Sequence, residues 1–298
     1  MEISTSTNLV HYRPNAKVNC IYDSLNIISN AGFKNIDLNF YDWSRPGMPF
    51  LYDNQWEKWT EEILKAIEDF GLNFYQSHAF VFDPPNNDIN SANYQQNIKL
   101  VKRSFEIAKR LEVKVLVTHP ITNVNSPYSP KKSLELNKNF YTDLIDFCEE
   151  NSMNLAFENM VDSYVTGKRK YGASTYELLE LVESFESPNV GICWDFEHGV
   201  KANISDQTKC IELIKDKLIA THVSDTHSRY DTSLMHILPF LGNLDWQHII
   251  KCLKKINYNH MLSLEVHHFT HNMPDELLTH AVKFAYEVSK SLLELGNE

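Results

Sequence analysis

The chain has 298 residues, 43% of them hydrophobic and 22% charged, with Lys+Arg 28 against Asp+Glu 39 for a net charge of −11. That acidic balance opposes tight binding to a nucleic-acid backbone, which rests on cationic contacts. No run of about 18 apolar residues occurs, so no membrane-spanning helix is expected.

The N-terminal stretch MEISTSTNLVHYRPN lacks both a basic start and an apolar core, so no secretory leader is expected. Cys20, Cys148, Cys193, Cys210 and Cys252 are dispersed without a CxxC pair. This opposes a disulfide framework or a thiolate zinc site and suits a cytoplasmic setting.

In chain order, short apolar runs alternate with longer stretches of helical spacing. A run near 3–10 precedes a helix over 20–31, and NIDLN at 35–39 precedes one over 56–70. NFYQS at 73–77 leads to a helix over 93–111, KVLVT near 114–118 to 132–151, and NLAFE at 154–158 to 174–185. VGICW at 190–194 is followed by 205–216, LIAT at 218–221 by 245–256, and LSLE at 262–265 by 274–294. Gly32 and Gly71 sit where helix ends need a left-handed residue. Ser174-Thr175-Tyr176-Glu177 carries capping chemistry, and Pro274 suits a first helical turn.

Eight strand–helix units with near-continuous apolar strands predict a parallel sheet covered on both sides. An eightfold βα alternation closes most simply as a (β/α)8 TIM barrel, one domain over 1–298, and chains of ~250 residues or more are ordinary for it. A doubly wound open sheet is the alternative, but no GxGxxG follows the first strand.

The residues at the ends of these runs carry the chemistry. The third to eighth runs end at His78, His119, Glu158, Asp195, His222 and Glu265. In a barrel these ends converge on the face that bears the catalytic loops. Glu158, Asp195, His222 and Glu265 form an oxygen-rich set suited to Mn²⁺, Mg²⁺ or Co²⁺, with Zn²⁺ also accommodated. Three carboxylates sharing one poorly solvated pocket repel each other unless a cation joins them.

The segments AFEN (156–159), CWDFEH (193–198), THVSDTHSR (221–229), HILPFLGNLDW (236–246) and SLEV (263–266), in this order, resemble the sugar phosphate isomerase/epimerase superfamily. These xylose isomerase-like TIM barrels include ketose 3-epimerases, hydroxypyruvate isomerase, inosose dehydratase and, more distantly, endonuclease IV. The resemblance implies that Glu158, Asp195, His222 and Glu265 bind one divalent ion and that Glu158 and Glu265 act as acid and base. It implies a metal-dependent isomerase or epimerase for a small sugar or polyol; such chemistry needs no organic cofactor, no nucleotide motif is present, and the acidic charge opposes a nucleic-acid partner. A dehydratase or lyase shares the same first step. His198 and Arg229 are implied substrate contacts. His78, His119 and His236 are candidate substrate contacts as well, and with His198 they match metal-binding histidines of the endonuclease IV branch, which keeps a phosphodiesterase as the alternative. Against it, Leu234 stands where that branch has an aspartate ligand.

Trp43 could stack on a sugar ring or merely pack its loop. His11, Asn39 and Asn159 lie near strand ends, and His267, His268 and His271 read as a solvated loop. Related barrels often pair or form tetramers, so a homo-oligomer is an expectation, although no stripe marks an interface.

Overall fold

The computed structural model describes residues 1–14, 17–83, 90–123, 128–163, 168–230 and 235–296. Eight parallel strands close a barrel: β1 (Glu2–Ser6), β2 (Asn35–Asn39), β3 (Asn73–His78), β4 (Val115–Thr118), β5 (Asn154–Glu158), β6 (Val190–Asp195), β7 (Leu218–Val223) and β8 (Met261–Leu264). Each strand pairs with its chain neighbours, and β8 returns to β1 with Thr5 opposite Leu264. The surrounding helices are α1 (Ile21–Ala31), α2 (Trp56–Phe70), α3 (Ala92–Arg110), α4 (Pro130–Glu150), α5 (Thr175–Glu183), α6 (Gln207–Ile214), α7 (Trp246–Lys255) and α8 (Asp275–Glu294). No helix among the described residues is long and apolar enough to cross a membrane.

The apolar runs form strands because both faces are covered. Leu116, Leu155, Phe157, Ile192 and Trp194 join the large core between the strands and helices. Val115, Val117, Ala156, Cys193 and Ala220 make a second, smaller cluster. A barrel interior filled by side-chain layers is a packed core with no pore. Across from these small residues the buried strand positions are polar: Ser4, Asp37, Gln76 and Ser263.

Gly32 and Gly71 end α1 and α2 with φ of 117° and 61°, as their placement predicts. Ser174 occupies the N-cap of α5 without a side-chain capping bond. The expected partner, Glu177, instead accepts from Arg169 and from the Tyr128 hydroxyl, both at 3.0 Å.

The register of β6 sets the site. Its pairing with β7 slips by one residue after Ile192, bringing Asp195 opposite His222. Gly191 accommodates this: a Cβ there would lie 2.5 Å from Ile219 and 2.8 Å from the Lys217 carbonyl oxygen. A bulge of this kind re-aims the side chains beyond it.

Candidate active site and metal centre

Because the strands are parallel, their C-terminal ends share one face, and a cavity of about 520 Å³ opens there. Glu158, Asp195, His222 and Glu265 converge, each offering one ligand atom, with all four atoms within 4.8 Å of one another. All four are buried. Nδ1 of His222 lies 3.3 Å from Glu158 Oε1 and 3.3 Å from Glu265 Oε2. Yet Nδ1 of His222, Oε1 of Glu158 and Oδ2 of Asp195 make no hydrogen bond. Buried polar atoms are almost always satisfied. Three orphans aimed at one point fit a divalent ion, and the donor set of three carboxylates and one imidazole suits a hard or borderline cation.

The opening half of the DFEH segment has a double use. Oδ1 of Asp195 accepts from the His198 backbone N–H at 2.6 Å and caps the short helix Phe196–Lys201. That leaves Oδ2 for the cluster. Asn159 holds the strand end by donating to the Asp195 carbonyl at 2.9 Å and accepting from its N–H at 2.6 Å. His198 donates from Nδ1 to the Asn159 carbonyl at 2.9 Å.

Glu158 faces two ways. Its Oε1 points to the four-ligand cluster and lies 3.0 Å from His198 Nδ1. Its Oε2 lies 3.2 Å from Nε2 of both His78 and His119, which with Glu158 form a second group of metal-competent side chains. Burial favours a protonated Glu158, but His222, His119 and His198 outweigh it and hold the carboxyl well below the ordinary range. Glu265 behaves oppositely. Burial pushes its carboxyl up to about 7 against the pull of His222, with Glu158 and Asp195 adding repulsion. Asn8 and Asn39 donate to its Oε1 at 3.5 and 3.3 Å.

His78 and His119, at strand ends, and His198 and His236, in the segments after β6 and β7, line the cavity. Burial lowers the His119 imidazole to about 4. His236 sits at a left-handed φ of 49°, with its backbone N–H bonded to buried Glu197. A non-glycine residue there stores strain that the surrounding contacts must hold.

Two expected contacts lie elsewhere. Trp43 is 2% exposed, packed on His11 at 4.4 Å and Trp59 at 5.5 Å, so it belongs to the core and not to the cavity wall. The dense aromatic packing under the β2 loop outweighs any ligand role. Arg229 is not among the lining residues, and its guanidinium lies over the Tyr230 ring at 5.6 Å. His11 is fully buried behind the wall. Leu234 lies outside the described residues.

His268 and His271 are exposed, as a solvated loop predicts, and His267 is half-buried; all three also line the cavity. The His267 ring packs against His236 at 4.2 Å. Asn8, Tyr12, Asp42 and Arg45 line it too and carried no sequence signal. Arg45 stacks over the Tyr12 ring at 4.1 Å, and the Tyr12 hydroxyl donates to Asp42 at 2.6 Å.

Asp42 supplies a pH test. Burial raises its carboxyl to about 6, only partly offset by the Tyr12 hydroxyl and Arg45. The folded form therefore holds a proton that the unfolded chain releases near pH 4, so stability falls as pH rises from about 4 through 6. The loss is about 3 kcal/mol at most. Asp42→Asn keeps the acceptor for Tyr12 and should remove that slope. Denaturant melts at pH 4 and pH 7 will read the difference between the two proteins; parallel curves would refute the assignment.

A model of the xylose isomerase-like TIM barrel family matches residues 25–288. The chain belongs to this family. A Methanocaldococcus jannaschii member, the uncharacterized protein MJ1311, is 27% identical over 226 residues, covering 73% of this chain and 71% of its own. A D-tagatose 3-epimerase-like protein superposes with a TM-score of 0.73 at 20% identity, covering 100% of this chain and 98% of that one. The IolI protein, solved with a bound zinc atom, superposes with a TM-score of 0.76 at 14% identity over the full length of both. At such identities the structural likeness is one of fold.

Proposed function

We propose that the chain is a divalent-metal-dependent isomerase or epimerase that moves a proton next to a carbonyl of a small sugar or polyol. One observation carries this reading. Two buried carboxylates, Glu158 and Glu265, stand in one four-ligand cluster, each 3.3 Å from the His222 Nδ1 between them. Two carboxylates flanking one substrate position can take a proton and return one. The zinc bound by IolI and the likeness to a D-tagatose 3-epimerase-like protein support it by fold analogy.

A divalent ion held by Glu158, Asp195, His222 and Glu265 would stabilise negative charge developing on substrate oxygens. The chain's own residues do the rest. Glu158 takes a proton from the carbon beside the carbonyl. Glu265, steadied by Asn8 and Asn39, returns one. His198, His119 and His236 line the wall and offer ring nitrogens to substrate hydroxyls. The same first step could eliminate water, so a lyase is the close variant.

The His78–His119–Glu158 group favours a second reading, a multi-metal phosphodiesterase. Elemental analysis separates the two. About one ion per chain, with solvent deuterium entering a ketose at the carbon next to its carbonyl, is the expected result. Two or three ions per chain with phosphodiester cleavage and no exchange would overturn it.

A further inference from the structure

Asp37 is a buried carboxylate with no place in the chemistry above. It lies on β2, 1% exposed, inside the barrel and beneath the cluster. Its Oδ2 accepts from Gln76 Nε2 at 2.7 Å and from the Ser263 hydroxyl at 3.0 Å. These are neutral donors. Among the described residues the one side chain within 4.0 Å of Asp37 that can carry positive charge is His222, whose Nε2 stands 3.4 Å from the same oxygen. An ionised carboxylate this deep is costly unless a charged or strongly polar partner faces it.

The His222 ring thus bridges two acidic layers. Nδ1 faces Glu158 and Glu265 at 3.3 Å, and Nε2 faces Asp37. A ring that gives its Nδ1 lone pair to a cation must carry its remaining proton on Nε2, and a carboxylate there fixes both tautomer and ring plane. Gln76 also donates to the Thr221 carbonyl at 3.3 Å, and Ser263 pairs with His222 across β7 and β8. Asp37, its two neutral donors and the histidine therefore tie together four strands, β2, β3, β7 and β8.

We propose that Asp37 is a positioning residue that orients His222 through Nε2 so that Nδ1 is presented to a divalent ion. This rests on the metal site proposed above, and it assigns to Asp37 no contact with substrate.

The test titrates Mn²⁺ into wild-type, Asp37→Asn and Ser263→Ala proteins, reading free Mn²⁺ by electron paramagnetic resonance, with thermal melts of the metal-free forms alongside. Asp37→Asn should weaken Mn²⁺ about 10–100-fold. Ser263→Ala, which keeps the carboxylate beside His222, should bind nearly as wild type does. Equal affinity in Asp37→Asn and wild type, or the same loss in both variants, would overturn the assignment. Should Asp37→Asn fail to fold, the wild-type protein still decides. A ¹⁵N-coupled, slowly exchanging His222 Nε2–H resonance is expected in the metal-free protein and with diamagnetic Mg²⁺, and a rapidly exchanging or absent one refutes the contact. Wild-type protein that takes up no Mn²⁺ would sink the metal reading, while that resonance would still report on Asp37.

Discussion

Glu158→Gln lowers the rate of solvent hydrogen exchange into a ketose by about 10²–10⁴-fold, the range that a positioned acid or base contributes. The substitution is nearly isosteric, so the packing around Phe157 and Cys193 is retained. What changes is charge. The amide nitrogen replaces one oxygen, so either the four-ligand cluster or the His78–His119 pair loses its acceptor. An amide cannot take a proton from carbon at any useful rate. Part of the loss could come from weakened metal binding, so the assay is run with Mn²⁺ in excess and bound metal quantified on the same sample. Metal-loaded Glu158→Gln that exchanges at the wild-type rate would remove Glu158 as the base. Glu265→Gln in the same assay should leave the first exchange measurable while slowing formation of the product epimer.

The second large effect concerns Asp195. Wild-type protein at a metal concentration about 100 times Kd should gain about 2.7 kcal/mol of stability, lost on adding chelator. Asp195→Asn should abolish that gain. The asparagine carbonyl can still accept from the His198 N–H, so the helix cap survives with little cost. Its amide nitrogen then replaces Oδ2 and has no lone pair to offer a cation. Without metal the variant should melt no lower than wild type, because one of three mutually repelling carboxylates is gone. Burial raises the Asp195 carboxyl and Glu158 adds to the rise, opposed by His198 and His222. Thermal melts with and without Mn²⁺ decide it. A variant that is stabilised by Mn²⁺ as strongly as wild type would show that Asp195 is only a helix cap.

These tests rest on residues that were legible because of where they stand in strands. Glu158, Asp195, His222 and Glu265 each end or directly follow an apolar run, and a parallel barrel brings every such end to one face. His78, His119 and His198 follow the same logic. Asp37 was hidden by it: in NIDLN the aspartate reads as one polar residue inside a strand, and nothing local says that it faces a histidine 185 positions later. Trp43 stayed open for the converse reason. Its loop position allowed a sugar stack or loop packing, and Trp59 and His11 surround it with aromatic packing.

By itself the sequence determined the alternation of eight buried strands with eight amphipathic helices, the glycines that end two of them, and the acidic and imidazole residues at the strand ends. Those features are written in periodicity and in neighbours a few residues apart. Only the tertiary structure decided which loop residues reach the cavity, that His267 packs on His236, and that Asn8 meets Glu265 across 257 positions of chain. The physical reason is that a strand's covered faces impose a local pattern on the sequence. A loop side chain gains its partners from elements far away in the chain, and closure of the barrel alone brings them together.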